Sequence, residues 1–344
     1  MKEQKIPVKT NIFKKIFIKI CRIFGYEIID QSKFHVPTQG KNLNENLNIQ
    51  GLKSISLPLG ETKIVRKIES LTVIFRSCTS VSMLTQNKKR LFDKKKSEYT
   101  FRSLNSIIKS LNLAQSSFPN IEFKIILIDH HSKKNDLDQM KSQLSRSNIK
   151  SSTLSLNVNE FIKNINKINA QKQKVTENQI SNMSNIAKSL QIARSQCNDL
   201  IYFVEDDYLH EKSAITEMIL TYERLASTLK KELILCPIDY PYLYTKADPT
   251  NIFFGSNKHW RKIDETLCTF LTSKIIVEKY WDKFISMCQF EHYPFEQPLH
   301  DIYKLEYCLS PIPSLALHLT NINSIYGLSP SLDWKKIWEE NSNY

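Results

Sequence analysis

A chain of 344 residues, 41% hydrophobic and 10% aromatic, carries enough apolar mass for one large α/β domain with appendages or two smaller domains, which excludes disorder over most of its length. Its six glycines are too far apart to form a GxGxxG or GxxxxGK[ST] loop, which disfavours Walker ATPases and ordinary Rossmann dehydrogenases. The formal charge of +13 asks for an anionic partner without choosing among a nucleic acid, a lipid headgroup and a phosphorylated substrate.

The first element is TNIFKKIFIKICRIFGY. Ile12, Phe13, Ile16, Phe17, Ile20, Ile23 and Phe24 recur at helical spacing with Lys15, Lys19 and Arg22 opposite, so residues 1–28 read as a basic amphipathic helix, capped near Thr10 or Asn11 and ended by Gly25. No apolar run in it exceeds three residues, which fits neither a signal peptide nor a membrane span. Such a helix either attaches to an anionic membrane surface or packs on its own domain, and the pattern allows both. Residues 29–70 are polar and interrupted by Pro37, Gly40, Gly51, Pro58 and Gly60, the character of a linker or strap.

The main fold is expected from Leu71. LTVIF reads as a buried strand, the Lys-rich stretch Asn87 to Ser97 as an excursion, and FRSLNSIIKSLNLA as a helix with Leu104, Ile107, Ile108 and Leu111 on one face. FKIILID is a second buried strand, followed by a polar turn and a helix in HHSKKNDLDQMKSQL. After a polar middle section, NMSNIAKSLQIARSQ leads as a helix into the strand LIYFV. Alternating strands and helices predict a parallel sheet wound in βαβ units. Downstream, a helix over Ala214 to Leu229, a strand in ELILCPIDY, an aromatic loop, a strand in TLCTFL and a helix in SKIIVEKYWDKFISMC precede a tail broken by Pro311, Pro313 and Pro330. The seven cysteines are scattered, with no CxxC pair, which points to free thiols and a reducing cytoplasm.

Directly after LIYFV stand Glu205, Asp206 and Asp207. Ligand sites in open α/β sheets lie at the carboxyl ends of strands, where Asp129 also falls. Adjacent carboxylates at a strand end repel one another, and a hard divalent cation, Mn²⁺ or Mg²⁺, would relieve that repulsion. A solvated acidic turn is the plain alternative.

The order of LTVIFRSCTS, RSLNSIIKSL, FKIILIDHHS and IAKSLQIARSQCNDLIYFVEDDYL resembles a GT-A glycosyltransferase of the family 2 type, from about Leu71 to Leu209. The resemblance implies a mostly parallel α/β sheet flanked by helices, with 71–240 as the nucleotide-sugar-binding half and 241–344 as the acceptor-side half and tail. It implies a nucleotide-sugar donor, a glycan or lipid-linked acceptor, and a divalent metal bridging the donor diphosphate. Asp207 matches the metal ligand of the usual Asp-x-Asp motif, which here begins with Glu205 instead of aspartate. Glu205 or Asp206 matches the group touching ribose or metal-bound water, and Asp129 the residue contacting the base. Arg76 lies where the base pocket is lined, and Arg261 would add positive potential. The catalytic base of an inverting enzyme falls nearest FEQPLHD, giving Glu296 first and Asp301 second, without the usual adjacent acidic pair. His318 matches a late histidine that serves some such enzymes as a further metal ligand; a lone histidine in an apolar stretch is otherwise a hydrogen-bonded core residue. Trp260, Tyr240, Tyr242 and Tyr244 suit either a sugar platform or packing.

Two other classes are weighed. LIDHHS resembles the Asp-His-His segment of DHH phosphoesterases, with His130 and His131 at a two-metal site, although the glycine-rich histidine motif of that class is missing. A non-catalytic basic protein binding a membrane surface or nucleic acid is the third; no nucleic-acid-binding signature stands out. The expected setting is cytoplasmic, peripheral on the inner face of the membrane if the first helix binds lipid.

Overall fold

The structure, a computed structural model, describes residues 12–26, 53–56, 60–80, 90–245, 250–320 and 322–344. The expected cap at Thr10 or Asn11, most of the strap and the first part of the basic run from Lys88 to Lys96 lie outside the described residues. The chain begins with α1 (Ile12–Ile23) and a hairpin of β1 (Lys53–Ser56) and β2 (Gly60–Lys63).

The end of the expected strap belongs to the fold. Ser227 Oγ accepts the backbone N–H groups of Val65 and Arg66, and the Arg66 guanidinium pairs with Asp199 and with Glu232 at 2.8 Å. β3 (Ser70–Ser77) follows, then α2 (Lys96–Ser117), β4 (Glu122–Asp129), α3 (Lys134–Arg146), β5 (Lys150–Ser155), α4 (Glu177–Gln196) and β6 (Leu200–Glu205). After a tight turn come β7 (Tyr208–His210), α5 (Ala214–Leu229), β8 (Leu233–Leu235), β9 (Ile252–Phe254), β10 (His259–Lys262) and β11 (Phe270–Ser273). The chain closes with α6 (Lys274–Lys279), α7 (Trp281–Gln289), α8 (Gln297–Tyr303), β12 (Tyr307–Ile312), β13 (Ala316–His318) and α9 (Trp334–Glu340).

Nine strands form one sheet in the order β5-β4-β3-β6-β11-β8-β12-β10-β9. β5, β4, β3 and β6 are mutually parallel, as are β8 and β12, while β11 and β10 pair antiparallel to their neighbours. Seven strands therefore run one way and two the other, which gives the mostly parallel, helix-flanked α/β sheet that the GT-A resemblance implies. The sheet continues across residue 240, so the two expected halves share one framework.

Both faces of the sheet are covered, which is why its strands read as nearly unbroken apolar runs. Leu71, Val73 and Phe75 of β3, Ile125 and Leu127 of β4, and Tyr202 and Val204 of β6 face α2, α3 and α5. Their alternates Ile74, Ile126, Ile128, Ile201 and Phe203 face α4, α6, α7 and α8. Each fully buried aliphatic side chain contributes on the order of 1.5–3 kcal/mol. The short ribbon of β7 and β13 packs with Tyr99 of α2 and Trp338 of α9 in a third cluster. All seven cysteines are free thiols. No helix among the described residues is long and apolar enough to cross a membrane.

Candidate functional site

Strand register assembles the site. Arg76 of β3 sits opposite Glu205 of β6, and Ser77 opposite Asp129, at the carboxyl edge of the sheet. Beyond Glu205 the chain turns and enters β7, whose antiparallel partner β13 brings in the tail: Tyr208 faces His318, and the Leu319 N–H donates to the Asp207 carbonyl at 2.9 Å. A proline-broken C-terminal segment is thereby held beside the acidic turn. The result is a cavity of about 370 Å³, walled by all three acids, Arg76, Ser77, Lys96, His318 and Glu296 among others.

Each acid of the triplet has a cation of its own. Glu205 Oε1 lies 3.0 Å from Arg76 Nη2. Asp206 accepts the Lys96 ammonium, the Thr100 hydroxyl at 2.9 Å and the Cys78 N–H at 3.2 Å, so its oxygens brace β6 to the β3 loop and the start of α2. Asp207 Oδ2 lies 3.4 Å from His318 Nε2. The protein thus answers the mutual repulsion with its own side chains, and the carboxylate triplet by itself gives no reason for a metal. The charge of the whole cavity bears on what an anionic ligand would require. Glu205, Asp206, Asp207, Glu291 and Glu296 line it against Arg76, Arg90 and Lys96, leaving one net negative charge with His318 protonated and two with it neutral. An anionic ligand entering that cavity needs a further cation.

Asp207 and His318 are the residues able to hold one. Burial alone would raise the Asp207 pKa, but the His318 charge and hydrogen bond, the Lys96 charge and a hydrogen bond from Thr320 outweigh it and hold the carboxyl far below the usual range. Burial alone would lower the His318 pKa, but Asp207 and the Tyr326 carbonyl raise it. His318 Nδ1 donates to that carbonyl at 3.1 Å, so a ring that gave up its Nε2 proton to a cation would turn the Nε2 lone pair to the side of Asp207. One carboxylate oxygen and one imidazole nitrogen suit Mn²⁺ better than Mg²⁺. Among the described residues no group of three His, Cys, Asp or Glu side chains converges, so an ion here would complete its shell with water and ligand phosphates. For the same reason the two-metal phosphoesterase alternative gains no support; His130 Nδ1 instead meets the Ser181 hydroxyl at 2.6 Å.

Two wall residues carry buried polar atoms without a hydrogen-bond partner: Arg76 at Nε, its Nη2 being paired with Glu205, and Asn185 of α4 at Oδ1. Orphan polar atoms in a cavity wall mark places where a ligand or water completes the bonding. α4 is fixed there by its capping box. The Thr176 hydroxyl accepts the Gln179 N–H at 3.3 Å, Gln179 Oε1 accepts the Thr176 N–H at 2.7 Å, and the Gln179 amide also donates to Glu291.

The other expected residues divide. Glu296, the residue before α8, is on the cavity wall. Asp301 is on the outer surface of α8, near Lys283 and Lys304 at 3.9 Å each, and does not line the cavity. Asp129 is buried and accepts from the Ser77 hydroxyl at 2.7 Å and the Ser132 N–H at 3.2 Å, reaching the cavity only through Ser77. Arg261 is buried against Asp239 with its guanidinium over the Tyr244 ring, away from the cavity. Trp260, Tyr240 and Tyr242 are buried packing residues, and none of the four expected platform residues lines the cavity. Lys96, Arg90, Thr320, Asn185 and Glu291 are additions. Of these, Lys96 and Arg90 had a prior signal, as members of the Lys-rich stretch Asn87 to Ser97.

No family model matches this chain, and no curated protein is significantly similar to it. Among solved structures, it is similar to S. aureus TarS over 61% of its length and 29% of that chain, at 13% identity and a TM-score of 0.32. It is similar to the galactosyltransferase LgtC, solved with donor and acceptor sugar analogs, over 79% of this chain and 95% of that one, at 11% identity and a TM-score of 0.35. A UDP-glucose pyrophosphorylase complexed with UDP-glucose aligns over 80% and 97%, at 8% identity and a TM-score of 0.38. Likeness at this level attributes no activity, ligand or partner to this chain.

Proposed function

We propose that this chain is a metal-dependent glycosyltransferase that moves a sugar from a nucleotide-sugar donor to a glycan or lipid-linked acceptor. The observation that carries the reading is the Asp207–His318 pair, opening into a cavity whose wall has a net negative charge. Asp207 and His318 would hold Mn²⁺ or Mg²⁺, and the bound ion would supply Lewis-acid charge to the departing diphosphate. Lys96 and Arg90 add fixed positive charge on the same wall, and Arg76, set by Glu205 through Nη2, would offer its Nε–H to the nucleotide. Asp129 positions Ser77 rather than meeting the donor itself. Glu296, on the cavity wall, would accept the proton of an acceptor hydroxyl.

The test is a screen of nucleotide sugars for release of nucleoside diphosphate, with Mn²⁺, with Mg²⁺ and with chelator. Turnover of at least one donor that stops on chelation is the expected result. Binding and turnover of none, with either metal, would refute the reading.

A further inference from the structure

α1 contains Ile12, Phe13, Ile16, Phe17, Ile20 and Ile23, and these six side chains stand 46 to 81% exposed. At about 100° per residue they fall, with Phe24, within an arc of roughly 140°, and Lys14, Lys15, Lys19 and Arg22 fall in the opposite arc. The half-buried members of the helix, Ile18 and Cys21, are outside the apolar arc. The apolar face is therefore turned to solvent rather than into the sheet domain, and the second of the two readings open from the sequence is not the arrangement found.

Charge decides among the remaining occupants. The helix has four basic residues and no acidic one, and residues 1–26 carry seven basic residues against Glu3. Two copies meeting face to face would bring two such basic flanks together. An anionic bilayer instead accepts the apolar arc below its headgroups and the lysines among them. At 12 residues the helix is about 18 Å long, which suits lying in the interface and is too short to span.

We infer that α1 docks the protein in plane on a membrane surface rich in anionic lipid. Docking there holds the cavity beside a bilayer, yet it stands independently of the proposed glycosyl transfer.

Sedimentation of the full chain with phosphatidylcholine vesicles, with and without phosphatidylglycerol, tests it. Binding is expected on the anionic vesicles, falling about tenfold or more in Lys15→Glu/Lys19→Glu, in high salt and on phosphatidylcholine alone. Ile16→Asp/Ile20→Asp should abolish it. Ile16, Lys19 and Ile20 are exposed, unchanged thermal melting and nucleotide binding check that the variants fold, and removal of residues 1–26 provides a second route to the same loss. Equal binding of wild type and Ile16→Asp/Ile20→Asp, or equal binding to both vesicle types, would overturn the inference. So would self-association through α1, seen by sedimentation velocity, with no lipid binding. Loss of nucleotide turnover with lipid binding intact would count against the proposed function alone.

Discussion

Asp206→Asn is the sharpest test of how the acidic turn is built. The carboxylate receives the Lys96 ammonium, the Thr100 hydroxyl and the Cys78 N–H, and the Lys96 and Asp206 side chains are only 15% and 11% exposed. Asparagine keeps the volume and one acceptor oxygen but removes the charge. Leaving a buried ammonium without its counter-ion costs about 3–5 kcal/mol. The neighbouring charge of Asp207 also acts on Lys96, which places the expected loss near the lower end, about 3 kcal/mol. At roughly 2 °C per kcal/mol for a chain this long, the melting temperature should fall by about 6 °C. Lys96→Met removes the orphaned charge, so the Lys96→Met/Asp206→Asn double variant should recover about 1–3 kcal/mol relative to the sum of the single losses. Urea unfolding of the four proteins supplies the double-mutant cycle. A loss below about 1 kcal/mol in Asp206→Asn, or strict additivity in the double variant, would refute the brace and return Asp206 to the role of a free ligand-binding carboxylate.

Other consequences follow from buried groups away from the cavity. Glu217, buried in the first turn of α5, accepts the N–H groups of Ser256 at 3.0 Å, Asn257 at 2.8 Å and Lys258 at 3.2 Å, and the Trp260 indole N–H at 3.2 Å. Glu217→Ala should cost about 2–4 kcal/mol and speed amide exchange at residues 256–258, because three part-buried backbone donors and the buried Trp260 indole lose their acceptor together; unchanged exchange there would contradict it. Burial lowers the His210 pKa to about 3, against about 6.5 in the unfolded chain. Between those values the unfolded chain binds the extra proton, so stability falls as pH falls through that window. His210→Gln should flatten the dependence of melting temperature on pH below about 6.5, and an unchanged slope would contradict the assignment.

The fold was legible where burial on both faces leaves a long apolar signature. β3, β4 and β6 and the helices between them follow the runs LTVIF, FKIILID and LIYFV, and α5 has the expected ends, Ala214 and Leu229. β5, reading KSSTLS, escaped because it is an edge strand with little buried apolar surface, so neither alternation nor β-branched enrichment marks it. The helix expected in SKIIVEKYWDKFISMC is two, α6 and α7, broken at Tyr280.

At the site, chemistry carried by one contiguous segment could be read from the residues, whereas His318 was reached only through the family resemblance and the other pairings across the sequence were not reached. Asp207 was visible as a strand-end acid, whereas its link to His318 depends on β13 folding back beside β7, more than 100 residues later in the chain. Lys96 looked like one more lysine of the Lys-rich excursion and is instead buried against Asp206. Arg261 looked available and is consumed by Asp239. Ion pairs made through tertiary contact leave no periodic trace in a sequence, which is why the charge balance of the cavity emerged only with the fold.

The most direct measurement is calorimetric titration of a nucleoside diphosphate into the wild type and into Asp207→Asn, each with and without Mn²⁺. The account predicts that Mn²⁺ tightens binding to the wild type at least about tenfold, and that Asp207→Asn abolishes this gain while keeping the weak metal-free binding. Equal Mn²⁺ enhancement in the two proteins would contradict it.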